Sequence, residues 1–309
     1  MKATVFAPGS VGNVGPGFDV LGLAIDGLGD RVTVEVTKEA AVIVRGRDAE
    51  LVPTDPSRNA AAVAANAMMK YVEPALSRIE PPERRLYISI DKGLPVSAGL
   101  GGSAASSVAG ALAAALALGL DPRPEEIMSA ALEGEIAVSG RHLDNIAPIT
   151  LGGLVLARSI DPIDVVALPV PQRWSVALIT PRVRIETKQA RAILPQQWDR
   201  SSWIQQMANT AALIAAFSSG DRALARRALD DRYAEPRRAR LIPHFEDVKR
   251  AALDAGAFGC SISGSGPTIF AIVDDEVGPR CLEAMRGAMR DIAFEARLAA
   301  IARQGAHAV

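Results

Sequence analysis

The sequence predicts an α+β chain in two domains, and three observations carry that prediction. A strand-like stretch, Leu86-Tyr87-Ile88-Ser89-Ile90, runs through a glycine-rich loop into an alanine-rich segment, Ala104 to Leu118. A proline-punctuated stretch, Asp161-Pro162 through Pro169-Val170-Pro171, interrupts the chain near its middle and precedes a fresh strand, Trp174 to Ile179. The second half closes with strand, tight turn, strand, helix and strand from Ala257 to Ala302, a split βαβ pattern. The predicted domains are residues 1–165 and 166–309.

Taken in order, residues 2–7 alternate like a strand, and the glycine- and proline-dense stretch from Pro8 to Gly17 reads as a structured loop. Arg31 to Val36 and Ala41 to Arg45 read as strands. Thr54-Asp55-Pro56-Ser57 signals a helix start ahead of the alanine-rich Asn59 to Tyr71, and Glu80-Pro81-Pro82-Glu83 is a loop. Asp121-Pro122-Arg123-Pro124 opens a helix whose apolar face is Ile127, Ala130, Ala131, Leu132 and Ile136. Gly152 to Ala157 is a strand. Thr187 is placed to cap a helix from Lys188 to Leu194. Asn209 to Phe217, Arg222 to Leu229 and Phe245 to Ala255 show apolar helical faces. A helix from Glu276 to Arg290 and a strand from Phe294 to Ala302 complete the chain.

Composition narrows the function. At 309 residues with 49% hydrophobic content, the chain supports a sizeable core. A net charge of −1 and few aromatic residues argue against nucleic acid or an anionic membrane as partner. Cys260 and Cys281 form neither a disulfide framework nor a metal spacing. The first residues are too short an apolar run for a signal peptide. A cytoplasmic protein is expected.

The central stretch is Pro95-Val96-Ser97-Ala98-Gly99-Leu100-Gly101-Gly102-Ser103-Ala104-Ala105. A helix N-terminus has unpartnered N–H groups and a partial positive charge, and glycines let the backbone close on an anion. Such a loop suits phosphate, with Ser103 either capping the helix or offering its hydroxyl. A plain glycine turn ahead of a buried helix is the competing reading. No Gly-Lys-Ser/Thr follows, so this is not a Walker loop, and the dinucleotide fingerprint is absent. The uncharged run from Gly93 to Leu120 is built of Ala, Gly and Ser, unlike a membrane span.

The stretch resembles the nucleotide motif of the GHMP kinases, Pro, three residues, then Gly-Leu-Gly-Ser-Ser-Ala, with Gly102 in place of the first serine. Two further motifs occur in the family's order. Gly15-Pro16-Gly17-Phe18-Asp19-Val20-Leu21-Gly22 resembles the first motif in its homoserine kinase form. Gly259 to Pro267 resembles the third, which in relatives braces the nucleotide loop. The segment from Gly134 to Pro148, the run Thr187-Lys188-Gln189-Ala190-Arg191, and Glu235-Pro236-Arg237-Arg238 through Pro243 also resemble that branch. The segment carrying His142 is one residue shorter than the family form.

The resemblance implies a GHMP fold: an N-terminal nucleotide-binding α/β domain with a left-handed βαβ crossover, and a C-terminal ferredoxin-like domain. It implies ATP as phosphoryl donor, held by residues 95–105, and Mg²⁺ shared by Ser103 and Glu135. It implies L-homoserine as acceptor, its carboxylate on Arg191 and Arg238, its ammonium on Asp19, with His142 and Asn145 lining the pocket. Asn13 orients the hydroxyl, and Thr187 stands where some relatives carry an Asp–Lys pair. Relatives often form homodimers. Read without the resemblance, Asn13 and Asp19 are turn residues, His142 bonds to backbone, and most arginines are surface charge. Threonine, mevalonate or shikimate as acceptor, or a silent metabolite-binding member, are the alternative functions.

Overall fold

The computed structural model describes residues 1–76 and 84–309; the loop expected at Glu80–Glu83 lies outside them. Strands β1 (Lys2–Gly12) and β2 (Leu21–Thr37) form a long antiparallel pair, followed by β3 (Ala41–Gly46), helix α1 (Ala60–Leu76) and β4 (Arg85–Lys92). Helices α2 (Gly102–Ala117), α3 (Pro124–Val138) and α4 (Ile146–Leu151) come next, then the hairpin β5 (Leu154–Ile160) and β6 (Ile163–Leu168). The second half is β7 (Trp174–Pro181), α5 (Thr187–Ala192), α6 (Arg200–Ser219), α7 (Arg222–Ala228), α8 (Glu235–Arg238), α9 (Phe245–Asp254), β8 (Gly259–Ile262), β9 (Ile269–Asp274), α10 (Gly278–Ala288), β10 (Phe294–Ala300) and β11 (His307–Ala308).

Among the described residues the strands make two sheets. The first has seven, ordered β11-β1-β2-β4-β3, with β5 on the lower end of β2 and β6 beyond it. The second has four, ordered β10-β7-β9-β8, all neighbours antiparallel. With α5–α9 between β7 and β8 and α10 between β9 and β10, this is the ferredoxin-like arrangement.

Helix α2 is the pivot of the first half. It packs on β1 and β2 on one side and on α1 and α3 on the other, so nearly its whole surface is buried. That explains its composition: alanines let neighbouring helices approach closely. At Gly110 the approach is at its limit, since a Cβ there would lie 2.4 Å from the Ala61 carbonyl oxygen.

Several expectations are corrected. The predicted loop from Pro8 begins only after Gly12: β1 stays paired to β2 through a bulge between Pro8 and Gly9, where a proline costs no ladder bond. Asp161-Pro162 is the turn of the β5–β6 hairpin, so the chain leaves the first sheet after Leu168. Helix α6 starts at Arg200, nine residues ahead of the predicted Asn209, because Asp199 caps it by accepting the Ser202 N–H at 2.9 Å. The last residues return to the first sheet, where β11 pairs with β1.

Candidate active site

Strand β4, buried on alternate residues, delivers the chain into the loop 93–101, and α2 takes it out. Three loop residues, Ser97, Gly99 and Gly101, hold left-handed backbone conformations. Such turns make concave arrays of N–H groups that take anions. Gly101 is the N-cap of α2. Ser103 is therefore the second helical residue and not the cap, which leaves its hydroxyl for a ligand. The loop is braced from the second half of the chain. Ser263 donates its hydroxyl to the Gly99 carbonyl at 2.6 Å, and the Thr268 N–H donates to the Ala98 carbonyl at 3.2 Å. Both come from the turn between β8 and β9, as the third motif implies.

A cleft of about 450 Å³ opens over this loop. Val96, Ser97, Ala98, Gly99, Gly101, Gly102 and Ser103 line it, whereas Pro95, Leu100, Ala104 and Ala105 do not and lie buried behind. The same cleft collects every other predicted site residue: Asn13, Asp19, Glu135, His142, Asn145, Thr187, Arg191 and Arg238. Its charges are unbalanced. Arg58, Lys92, Arg184, Lys188, Arg191 and Arg238 face it against Asp19, Glu135 and Glu186, which suits a ligand carrying several negative charges.

Glu135 lies on α3, on the face turned to the core, while Glu133 is exposed. Ser139 donates to Glu135 Oε2 at 2.7 Å, and Oε1 is buried without a partner among the described residues. A buried carboxylate oxygen left unpaired is costly. A hard cation with oxygen ligands would satisfy it, and Ser103 offers a second oxygen in the same cleft.

Around Phe18 the two predicted arginines converge, each guanidinium 5.4 Å from the ring centre. Arg191 meets Asp19 in a two-pronged pair, at 2.8 and 2.9 Å. Arg238 is 3% exposed, donates only to the Ala190 and Gly264 carbonyls, and has no carboxylate partner among the described residues. Burial, with the neighbouring Arg191 charge, lowers its pKa. A buried guanidinium without a counter-ion calls for an anion. Arg237 instead donates to the Arg232 and Tyr233 carbonyls, and Arg240 is exposed.

Asn13 and Asp19 both sit at positive φ, so the turn role is real. Asn13 Oδ1 accepts the Asp19 N–H at 3.0 Å, and Nδ2 donates to the Gly264 carbonyl at 3.0 Å. Asn145 precedes α4 and accepts from the Ser10 hydroxyl at 2.8 Å. Thr187 is the first residue of α5 with Glu186 as N-cap, so its predicted capping role is corrected. Its hydroxyl is 3.4 Å from that of Ser265. His142 is buried with Nδ1 3.1 Å from Asp144 Oδ1, not bonded to backbone. Burial alone would lower its pKa, but Asp144, with Glu135 and Asp19, raises it to about 9.

Sequence reasoning missed Lys92, Ser139 and Asp144. Lys92 stands at the end of a strand, and only the tertiary fold brings it to the cleft. Ser139 lies one turn beyond Glu135 in a motif already noted, and that spacing was the available signal.

Comparison with known proteins gives a consistent result. The family model of the GHMP kinases N terminal domain matches residues 60–153, and that of GHMP kinases C terminal matches residues 213–291. A homoserine kinase of Chloroherpeton thalassium is 42% identical over 280 residues, 88% of this chain and 87% of that protein. One from Pyrococcus abyssi is 41% identical over 273 residues, 88% of each chain. The crystal structure of homoserine kinase from Cytophaga hutchinsonii superposes with a TM-score of 0.90 at 38% identity, covering 100% of this chain and 97% of that one.

Proposed function

The chain belongs to the GHMP kinases, within their homoserine kinases, and on that premise we propose that it moves the γ-phosphoryl group of ATP onto the side-chain hydroxyl of L-homoserine, giving ADP and O-phospho-L-homoserine. The observation that carries the acceptor is buried Arg238, without a carboxylate partner among the described residues and beside Arg191. Two guanidiniums around one ring suit a carboxylate, which each can meet with parallel hydrogen bonds.

The residues divide the work. The loop 95–101 and the first turn of α2 receive the phosphates, whose charge the free N–H groups and the helix dipole offset. Ser103 and Glu135 would hold Mg²⁺, and the orphaned Glu135 Oε1 fits that role. When bound, the ion offsets charge on the phosphates during transfer. Arg191 and Arg238 take the substrate carboxylate, and Asp19 takes the ammonium. His142 and Asn145 close the pocket. Asn13 Oδ1 has a lone pair beyond the one used by Asp19 N–H, and can accept from the substrate hydroxyl. Thr187, facing Ser265, stands where a relay would be, and no carboxylate–lysine base pair is needed if transfer passes through a loose transition state governed by positioning.

A division into two domains is part of the same proposal, supported by the two family models and the two sheets, with the boundary moved from 165 to just after Leu168, where β6 ends, and with β11 returning to the first sheet. So is a cytoplasmic location. Both cysteines are free and buried, and among the described residues no helix is long and apolar enough to cross a membrane. The test is ADP release with Mg-ATP across L-homoserine, L-threonine, mevalonate and shikimate. Selective turnover of L-homoserine supports the reading, and turnover of another alcohol alone rejects the acceptor assignment.

A further inference from the structure

We propose that Asp30 is a positioning residue of the nucleotide site, holding both ends of the phosphate loop in its anion-binding shape from outside the cleft; the proposal rests on the ATP reading above. Asp30 is 0% exposed, lies on β2 and does not line the cleft. Its carboxylate is fully used. Oδ1 accepts the N–H groups of Gly93 and Leu94, each at 3.1 Å, where the loop leaves β4. Oδ2 accepts the Ser106 hydroxyl at 2.7 Å and pairs with the Lys92 ammonium. Lys92 Nζ in turn donates to the Gly102 carbonyl at 3.0 Å and to Ser106 Oγ at 3.1 Å. Gly102 is the first residue of α2 and Ser106 lies one turn further on. One carboxylate thus ties the loop's entrance directly, and its exit through Lys92 and Ser106.

Stability alone does not call for these charges. A buried ion pair replaced by well-packed apolar side chains is often no less stable. What the network supplies is direction. Between the two tied ends, Ser97, Gly99 and Gly101 hold left-handed conformations, and the aim of their N–H groups depends on where the ends are fixed. Lys92 also faces the cleft. Asp30 therefore sets how much of that ammonium's charge and motion reaches a bound phosphate.

Asp30→Asn keeps the Oδ1 acceptor for Gly93 and Leu94 but turns an NH₂ toward the Lys92 ammonium. It should raise KM for ATP, and Kd for ADP by calorimetry, about tenfold or more. KM for L-homoserine should stay within about twofold. Ser106→Ala removes the 2.7 Å bond to Asp30 and the 3.1 Å bond from Lys92 but leaves the Asp30–Lys92 pair, in a helix already rich in alanine, and should raise KM for ATP about threefold. A merely structural role would lower the active fraction, and so kcat, with both KM values unchanged. Unchanged KM for ATP in folded variants, or equal rises in both KM values, overturns the proposal. If Asp30→Asn does not fold, Ser106→Ala decides by the same criterion. Failure of the wild-type protein to bind ADP would overturn the nucleotide reading as well, so the two failures are distinguishable.

Discussion

Asp19 satisfies both prongs of the Arg191 guanidinium although the two residues are 172 positions apart in sequence. Each is assigned one charge of the substrate, so binding exchanges an internal pair for two pairs with the ligand. A zwitterion makes that exchange balanced. A plain hydroxy acid engages Arg191 and leaves Asp19 without a partner, which costs its desolvation. The wild-type protein should therefore prefer L-homoserine strongly over 4-hydroxybutanoate. Asp19→Asn should reduce that preference by about tenfold or more, and Arg191→Ala should raise KM for L-homoserine about 10–100-fold, the loss of roughly 1.5–3 kcal/mol for a charged hydrogen bond. Steady-state kinetics on both substrates checks this; an unchanged preference in Asp19→Asn removes the ammonium from Asp19.

Glu135 carries a buried oxygen with no partner among the described residues, and its proposed role as a cation ligand sets its charge against local stability. Glu135→Gln should leave the nucleotide-free protein at least as stable in a thermal melt, because the uncompensated charge is gone. The same variant should lose about two orders of magnitude in kcat and need more Mg²⁺ for what remains. Loss of stability together with retained kcat would make the residue structural.

How much of this was legible in sequence follows from range. The phosphate loop is local: glycines at 99, 101 and 102 followed by an alanine helix specify it within one segment, and the cleft forms on it. Arg191, Arg238, Asp19 and Glu135 were reached only through resemblance, since nothing in their neighbourhoods distinguishes them from surface charge. Their meeting in one cleft is tertiary. Strand β1 beyond Ala7 was missed because glycine and proline signal a loop locally, while pairing to β2 through a bulge overrides that signal. Asp161-Pro162 misled for the mirror reason: a proline that marks a hairpin turn reads the same as one that marks a boundary. Asp30 had no signal at all. An aspartate midway along a long strand gains its meaning only from Gly93, Leu94, Ser106 and Lys92.

His142 makes the site pH-sensitive in a defined direction. Its pKa is raised from 6.5 to about 9, because Asp144, Glu135 and Asp19 outweigh burial. A raised folded-state value means the contribution to stability is fully present below about pH 6.5 and is lost as pH climbs through about 9. In turnover, kcat/KM reports the free enzyme and should fall above about pH 9. Substrate ammonium on Asp19 and a cation on Glu135 each remove a negative neighbour. The limb seen in kcat should therefore lie at lower pH than that in kcat/KM. Asp144→Asn should move both limbs down, and pH profiles of the wild type and this variant measure it.

Gly99 separates the loop's backbone from its packing. Its φ is +77°, and a Cβ there would stand 2.3 Å from the Ser263 carbonyl oxygen and 2.8 Å from that of Gly266. Backbone atoms cannot swing aside as a side chain can. Gly99→Ala thus meets a left-handed penalty of roughly 1–2 kcal/mol and also pushes the loop off the β8–β9 turn that braces it. Gly287, exposed in α10 with nothing near its added Cβ, is the matched control. There the same substitution should stabilise the protein by about 0.4–1 kcal/mol through the unfolded chain and helix propensity. Denaturant melts should move in opposite directions for the two variants, and only Gly99→Ala should weaken ADP binding. If Gly99→Ala binds ADP as the wild type does, the bracing turn does not shape the loop and the phosphates are held by α2 alone.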